Sequence, residues 1–282
     1  MWWNCMVLAV RRLLSEGDHR VRSVGLSGQM HGLVLLNGSG LPLRKAIIWS
    51  DSRSGAQVAE WHHLLGNDLV TTTTGFPIAT GMFGVSLHWV RDNEPEVYSS
   101  ARVAISPKDY IRYRLTGVIG SEPTDAGATL LFDIHSRTPA TKILDVVGLR
   151  PDLLAELTPS LRIVGEVRAH AASETGLPTG TPVAAGGGDQ AMAALALGLN
   201  DPSRAAVAIS SGGTVLKPPL QPLNLTLGLH VLPHAVSGMW LAMGVLLSAG
   251  LGIEWLATRL FGRARGPAGI AALMREAEEI PP

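Results

Sequence analysis

An aspartate that follows three glycines at the end of an apolar run is the residue best placed to do chemistry. Pro182-Val183-Ala184-Ala185 reads as a short strand. Gly186-Gly187-Gly188 allows close approach of a ligand, and Asp189-Gln190 opens an alanine-rich helix. Open α/β sheets bind ligands beyond the carboxyl ends of their strands, so a carboxylate there is placed to take a proton from an attacking hydroxyl. The position is also that of an ordinary helix N-cap, and on these residues alone the cap is the favoured reading. The run further satisfies the minimal dinucleotide fingerprint Gly186-x-Gly188-x-x-Ala191, which admits an oxidoreductase. Two details oppose that alternative. Asp189 would face the pyrophosphate, and Ala208-Ile209-Ser210-Ser211-Gly212, about twenty residues on, offers no acid for a ribose hydroxyl.

Ser27-Gly28-Gln29-Met30-His31-Gly32 lies between two apolar runs, so its polar side chains project from a sheet edge. Gln29 and His31 fall on one side of an extended chain and together offer donors and acceptors suited to a polyol. No Cys, Asp or Glu stands at ligand spacing to His31, and metal binding has little support there. Ser210-Ser211-Gly212-Gly213-Thr214 follows another apolar run; its N–H groups and hydroxyls suit phosphate oxygens, although a polar hairpin turn has the same composition. Trp49-Ser50-Asp51-Ser52-Arg53, Lys108-Asp109-Tyr110 and Thr124-Asp125-Ala126-Gly127 are charged clusters of the kind that decorates solvated loops. There is no Gly-x-Ser-x-Gly elbow and no Gly-x-x-x-x-Gly-Lys loop, so neither a serine hydrolase nor a P-loop nucleotide site is indicated.

The elements that would carry these residues alternate between strand and helix, the pattern of a parallel sheet with helices on its faces. Helical spacing covers Trp2 to Leu14, Ser54 to Leu65, Val85 to Arg91, Lys108 to Leu115, Arg150 to Leu157 and Gln190 to Leu199. Strands are expected at Val21 to Ser27, at Leu33 to Leu36 with a turn at Asn37-Gly38, at Ala46 to Trp49 and at Ala205 to Ser210. The apolar window Met239 to Ile253 is short for a bilayer span and interrupted by glycines, which suits a buried strand followed by a helix. Turn formers cluster from Thr175 to Pro182, which divides the chain into a unit over 1–179 and a second over 180–282.

With 282 residues, 46% of them hydrophobic, the chain can bury a large core. Lys+Arg and Asp+Glu number 23 each, without a basic run, which argues against nucleic acid as a partner. The single cysteine, Cys5, fits a reducing compartment and reads as a buried thiol. The basic residues Arg11 and Arg12 follow the first apolar run, the reverse of a secretory signal, so cytoplasm is the expected location.

Taken in order, Gly28-Gln29-Met30-His31-Gly32, Trp49 to Arg53, Ser106 to Arg112, Ser121 to Thr129 and Gly186 to Asp189 resemble the FGGY family of carbohydrate kinases, and within it the xylulokinases. The resemblance covers essentially the whole chain. It implies an α/β fold of the ribonuclease-H-like (actin/sugar kinase/Hsp70) type, with an N-terminal sugar-binding domain and the start of a C-terminal ATP-binding domain. It implies phosphorylation of D-xylulose by ATP with Mg2+, a cytoplasmic enzyme, a small-molecule sugar as partner, no membrane or nucleic-acid partner, and it admits a homodimer. Carried over residue by residue, Asp189 is the general base and also touches substrate, Met30 and His31 contact the sugar beside Gln29, and Gln190 stands where asparagine is frequent. Ser211, Gly212 and Gly213 resemble the second phosphate loop, and no metal ligand is assigned to the chain. With this ordering, catalysis displaces the N-cap as the favoured role of Asp189. Two departures are noted: Ser210-Ser211-Gly212-Gly213 replaces a Gly-Thr-Ser-Gly or Gly-Thr-Gly core, and Ser86 stands three residues before Trp89 where lysine is expected. The resemblance also puts an Asp-x-Gly-Thr loop ahead of Trp2-Trp3 and most of the adenine site beyond Pro282, so the expectation is that this polypeptide alone is a poor kinase or none. The alternatives are a kinase for another ketose or polyol, a silent fragment that binds sugar, and the dinucleotide oxidoreductase.

Overall fold

A computed structural model describes residues 1–222 and 228–280. The chain runs α1 (Trp2–Ser15), β1 (Ser27–Gly28), β2 (Val34–Leu36), α2 (Gly55–Leu64), α3 (Asn67–Thr74), α4 (Phe83–Asn93), α5 (Pro95–Ser100), β3 (Val103–Ile105) and α6 (Pro107–Thr116). It continues with α7 (Pro123–Gly127), β4 (Phe132–Asp133), β5 (Thr138–Pro139), α8 (Thr141–Val147), a 3-10 turn (Pro151–Leu153), β6 (Ile163–Glu166), α9 (Ala169–Thr175), β7 (Pro182–Ala184) and β8 (Gly187–Gly188). The remainder is α10 (Asp189–Ala196), β9 (Ala206–Ile209), β10 (Gly213–Lys217), β11 (His230–Pro233), β12 (Trp240–Leu246), α11 (Gly250–Trp255), a π-helical turn (Leu256–Leu260) and α12 (Pro267–Glu278).

Local chemistry sets the two helices that matter most for the site. In α6, Ser106 caps the N-terminus by accepting from the Asp109 N–H, Pro107 takes a first-turn position and Gly117 closes the helix at φ 78°. In α7, the Glu122 carboxylate accepts from the Thr124 and Asp125 N–H groups and Pro123 takes a first-turn position. The main core gathers Leu33, Leu35, Ile47, Trp61, Phe76 and Phe83 with their neighbours, and a second cluster seats Trp3 of α1 against Leu115, Val167 and Val183.

Sheet pairing departs from the expected parallel arrangement. β1 pairs with β8 in parallel, but β9 to β12 form an antiparallel sheet in the order β11-β12-β10-β9, and β6 with β7, β2 with β3 and β4 with β5 are antiparallel. The first strand is shorter than its pattern, with a bridge at Val24 to Val183 ahead of Ser27–Gly28. The helix expected over Arg150 to Leu157 is a single 3-10 turn. Leu154 and Leu157 pair instead with Ala104 and Ser121, so tertiary pairing overrides local propensity. Cys5 is exposed rather than buried, because α1 turns Trp3 inward and leaves the thiol on its outer face. Among the described residues no helix is long and apolar enough to cross a membrane.

The antiparallel sheet docks on the first half through Gly75. Val231 N–H donates to Gly75 O at 2.8 Å, and a Cβ on Gly75, which has φ +82°, would fall 1.8 Å from Val231 O. Gly75→Ala is expected to lower stability by about 2 kcal/mol or more, from left-handed strain and a backbone clash that side-chain motion cannot relieve. Urea denaturation of the variant beside wild type measures it.

Candidate active site

Parallel pairing of β1 and β8 puts the two glycine motifs side by side. Ser27 faces Gly187 and Gly28 faces Gly188, and Gly187 N–H donates to Leu26 O at 3.0 Å. The turn accepts no side chains: a Cβ at Gly186 would lie 2.4 Å from Leu26 O, and one at Gly188 would lie 2.6 Å from Met30 Cγ. Met30 is therefore packed against the residue that precedes Asp189, while Gln29 and His31 flank Met30 in the chain and Gln190 follows Asp189.

Asp189 is the first residue of α10, with Gly188 at the cap position, so the cap reading is not realised. Its Oδ1 accepts from the Gln190 N–H at 2.8 Å. Partial burial of its carboxyl, in a residue that is exposed as a whole, holds it above the usual carboxylate value, partly offset by the Gln190 N–H. Met30 is buried at 5% exposure, whereas Asp189 is exposed and Gln29 and Gln190 are half-buried. His31 has φ +68°, so the chain is not extended there and the expected same-side placement of Gln29 and His31 does not arise from strand geometry.

The electrostatics of His31 define its role. Its Nδ1 lies 2.7 Å from Ala128 O; a carbonyl only accepts, so Nδ1 carries the proton and Nε2 is left as an acceptor. Burial lowers its pKa to about 4, against the raising effect of the Ala128 carbonyl, and His230 lowers it further. The imidazole is neutral at pH 7, able to accept a hydroxyl. Phe76 stands edge-on to it at 5.3 Å and also packs, tilted by 40°, against His230 at 4.9 Å. A cavity of about 450 Å3 touches His31, Ser106, Ser121 and Asp125 but not Asp189.

Two of the three clusters expected on solvated loops, Lys108-Asp109 and Thr124-Asp125, are instead buried. Lys108 Nζ lies 2.7 Å from Asp109 Oδ1, 3.3 Å from Asp125 Oδ2 and 3.6 Å from Glu122 Oε1, and Arg112 Nη1 lies 3.3 Å from Asp109 Oδ1. Both cations also donate to Ala185 O, at 3.3 and 3.2 Å. Sequence reasoning missed Arg112 and Glu122. The available signals were the Lys108/Arg112 spacing on one helix face and an acid directly ahead of Pro123.

Hydrogen-bond stoichiometry assigns a proton to this cluster. Ser106 Oγ is 2.9 Å from Asp109 Oδ2 and 2.7 Å from Asp125 Oδ2, yet it owns one proton. A neutral Asp125 that donates to Ser106, which donates on to Asp109, satisfies both contacts and balances two cations with two carboxylates. Burial raises the Asp125 pKa to about 7 despite the Lys108 ammonium, with Glu122 and Asp109 adding to the rise. The unfolded chain releases that proton near its ordinary value of 3.8. The stabilisation is therefore full below about pH 4 and lost as pH rises through about 7, at roughly 1.4 kcal/mol per pH unit. Asp125→Asn is expected to flatten this fall, as read by denaturant midpoints between pH 4 and 8.

The other assigned residues lie apart on the antiparallel sheet. The turn at Ser211-Gly212 connects β9 to β10, which begins at Gly213, and the start of α11 is bonded to it: Ala249 and Leu251 N–H groups donate to Ser211 O at 2.9 and 3.2 Å. Ser211 is exposed, and its hydroxyl and N–H have no protein partner among the described residues, which fits a phosphate group. Trp49 is 60% exposed, and Arg53 pairs with Asp51 at 2.8 Å while lying over the Trp89 ring.

The metal-ligand chemistry among the described residues is confined to Glu60, His88 and Asp92. Trp61 Nε1 donates to His88 Nδ1 at 2.8 Å, which puts the proton on Nε2, and the Arg91 guanidinium also abuts that atom. His88 therefore offers a cation no free lone pair and Arg91 adds positive charge, so the three residues do not act together as Mg2+ ligands.

A profile described as the FGGY family of carbohydrate kinases, N-terminal domain, matches residues 1–196, and the chain belongs to the FGGY family of carbohydrate kinases. Within that family, the xylulose kinase of Staphylococcus epidermidis is 34% identical over 264 residues, 92% of this chain and 52% of that protein. The solved xylulose kinase of Rhodospirillum rubrum superposes with a TM-score of 0.91 at 28% identity, over 99% of this chain and 58% of its own. Glycerol kinase of Plasmodium falciparum, solved with ADP, shares the fold with a TM-score of 0.85 at 20% identity, over 98% of this chain and 56% of its own. The fold is the actin/sugar kinase/Hsp70 type, and the chain spans about half the length of the curated relatives it matches.

Proposed function

We propose that this chain supplies the sugar side of a kinase that phosphorylates D-xylulose to D-xylulose 5-phosphate with ATP. The observation that supports the reading is the β1–β8 pairing, which packs Met30 against Gly188, the residue before Asp189. Met30, the neutral His31 acceptor, Gln29 and Gln190 bind and orient the sugar. Asp189 takes the proton of the accepting hydroxyl as it attacks the γ-phosphoryl group. Ser211, Gly212 and Gly213 hold phosphate oxygens. Mg2+, carried by the nucleotide phosphates, would supply charge neutralisation.

The xylulose kinases among the relatives support xylulose over another ketose or polyol. The dinucleotide alternative is disfavoured by geometry: the Gly186, Gly187 and Gly188 N–H groups donate to Ser160 O, Leu26 O and Thr124 Oγ1, leaving none for a pyrophosphate. The division into domains 1–179 and 180–282 falls between α9 and β7 and belongs to the same proposal, as do a cytoplasmic location and a homodimer. A coupled assay of ADP formation with ATP, Mg2+ and D-xylulose, run on wild type and Asp189→Ala, tests the reading. The expected result is xylulose-dependent ADP that the variant lacks. No such ADP from folded wild type contradicts kinase activity of this chain.

A further inference from the structure

The backbone of the glycine turn is held at every residue before Asp189. Ala185 N–H donates to Arg162 O at 2.8 Å, Gly186 N–H to Ser160 O at 2.9 Å and Gly187 N–H to Leu26 O at 3.0 Å. The fourth tie differs in kind. Gly188 N–H, one residue before Asp189, donates to a side chain, Thr124 Oγ1, at 2.8 Å.

The direction of that bond is imposed from below. Glu122 is buried at 0% exposure, and its carboxylate accepts from Thr124 Oγ1 at 2.7 Å, Thr124 N at 2.8 Å, Asp125 N at 2.8 Å and Ser160 Oγ at 2.6 Å. An ionised carboxylate only accepts, so the single Thr124 hydroxyl proton points at Glu122 and its lone pair is turned to Gly188. A Cβ on Gly187 would lie 3.0 Å from Thr124 Oγ1, so the hydroxyl is packed against the turn. Asp189 itself is bonded only to its neighbouring Gln190 N–H among the described residues. Peptide orientation at Gly188, rather than side-chain contacts, therefore directs its carboxylate.

We propose that Thr124, oriented by Glu122, is a positioning residue for Asp189. The proposal rests on the reading of Asp189 as the base. It assigns α7, on the sugar side of the fold, the task of aiming a side chain that begins a different helix. A purely structural threonine would affect stability alone; a positioning one also moves the peptide next to the base and the titration of that base.

Three measurements on the full chain decide it: amide hydrogen exchange at Gly188 by NMR, the Asp189 carboxyl titration, and calorimetric titration with D-xylulose, for wild type, Thr124→Val and Thr124→Ser. In Thr124→Val, Gly188 exchange is expected to rise about tenfold more than Gly187 exchange, with about tenfold weaker xylulose binding and a displaced Asp189 titration, the scale of one buried hydrogen bond lost. Thr124→Ser, which keeps the hydroxyl, restores all three. The proposal is overturned if Thr124→Val leaves Gly188 exchange and the Asp189 titration within twofold of wild type, or if serine fails to restore them. If wild type binds no xylulose, the sugar-kinase reading fails, while the exchange and titration still judge the positioning role.

Discussion

Lys108→Met is expected to destabilise the protein by about 3–5 kcal/mol, the cost of leaving buried charge without its partner. Lys108 is enclosed by Asp109, Asp125 and Glu122 and donates to Ala185 O. Burial alone would lower its pKa, but the Asp109, Asp125 and Glu122 carboxyl groups outweigh that and hold the ammonium charged well above its ordinary value. Methionine fills the same length without charge, leaving Asp109 with Arg112 as its remaining cation and Ala185 O with one donor fewer. Adding Asp109→Asn to Lys108→Met removes the uncompensated carboxylate and should recover a substantial part of the loss. Guanidinium denaturation of the single and double variants reads both effects, and a Lys108→Met stability equal to wild type would show that the cluster contributes nothing to the fold.

On the proposed sugar-kinase reading, Asp189→Ala and Asp189→Asn are each expected to lower turnover by about 10²–10⁴-fold, the contribution of a positioned general base. Asparagine preserves shape and polarity, so xylulose should still bind within about tenfold of wild type, one hydrogen bond being at stake. Phosphoryl transfer asks the protein mainly for positioning and charge stabilisation, so a residual rate is expected in both variants. In its proposed role as base, Asp189 must be ionised to act. Because burial holds the Asp189 carboxyl above its ordinary value, kcat/KM should fall on acidification at a higher pH than an unperturbed aspartate would dictate. A pH profile of kcat/KM checks the sign, and an unchanged turnover in Asp189→Asn excludes the residue as base.

The turn at Gly186 to Asp189 was readable from composition because three consecutive glycines serve close backbone approach, and the structure shows that approach at Leu26 O and Met30. The helices α1, α2, α4, α6 and α10 were readable by spacing, whereas α5, α7, α8, α9 and α12 were not anticipated. Nor was α3, since its Thr71 to Thr74 run carries no apolar stripe, and its place is set by Val70 and Thr74 packing inward. The Arg150 to Leu157 segment failed for the opposite reason, its leucines following helical spacing while their backbone pairs with Ala104 and Ser121. The charged clusters were the largest omission. Local sequence cannot show that Lys108 and Arg112 of α6 are balanced in the interior by Asp109 and by Glu122 at the cap of α7, or that Ala185 O accepts from both cations. Likewise the packing of Met30 against Gly188 depends on a parallel pairing of β1 with β8, far apart in sequence, for which the two motifs carry no mutual signal.

Calorimetric titration of D-xylulose into the folded chain, with His31→Ala alongside, tests the central claim that β1 and β8 assemble a sugar site. Saturable binding by wild type, weakened about tenfold or more when the neutral His31 acceptor is removed, is the predicted result. Folded wild type that shows no saturable heat with D-xylulose, or His31→Ala that binds as wild type does, would contradict it.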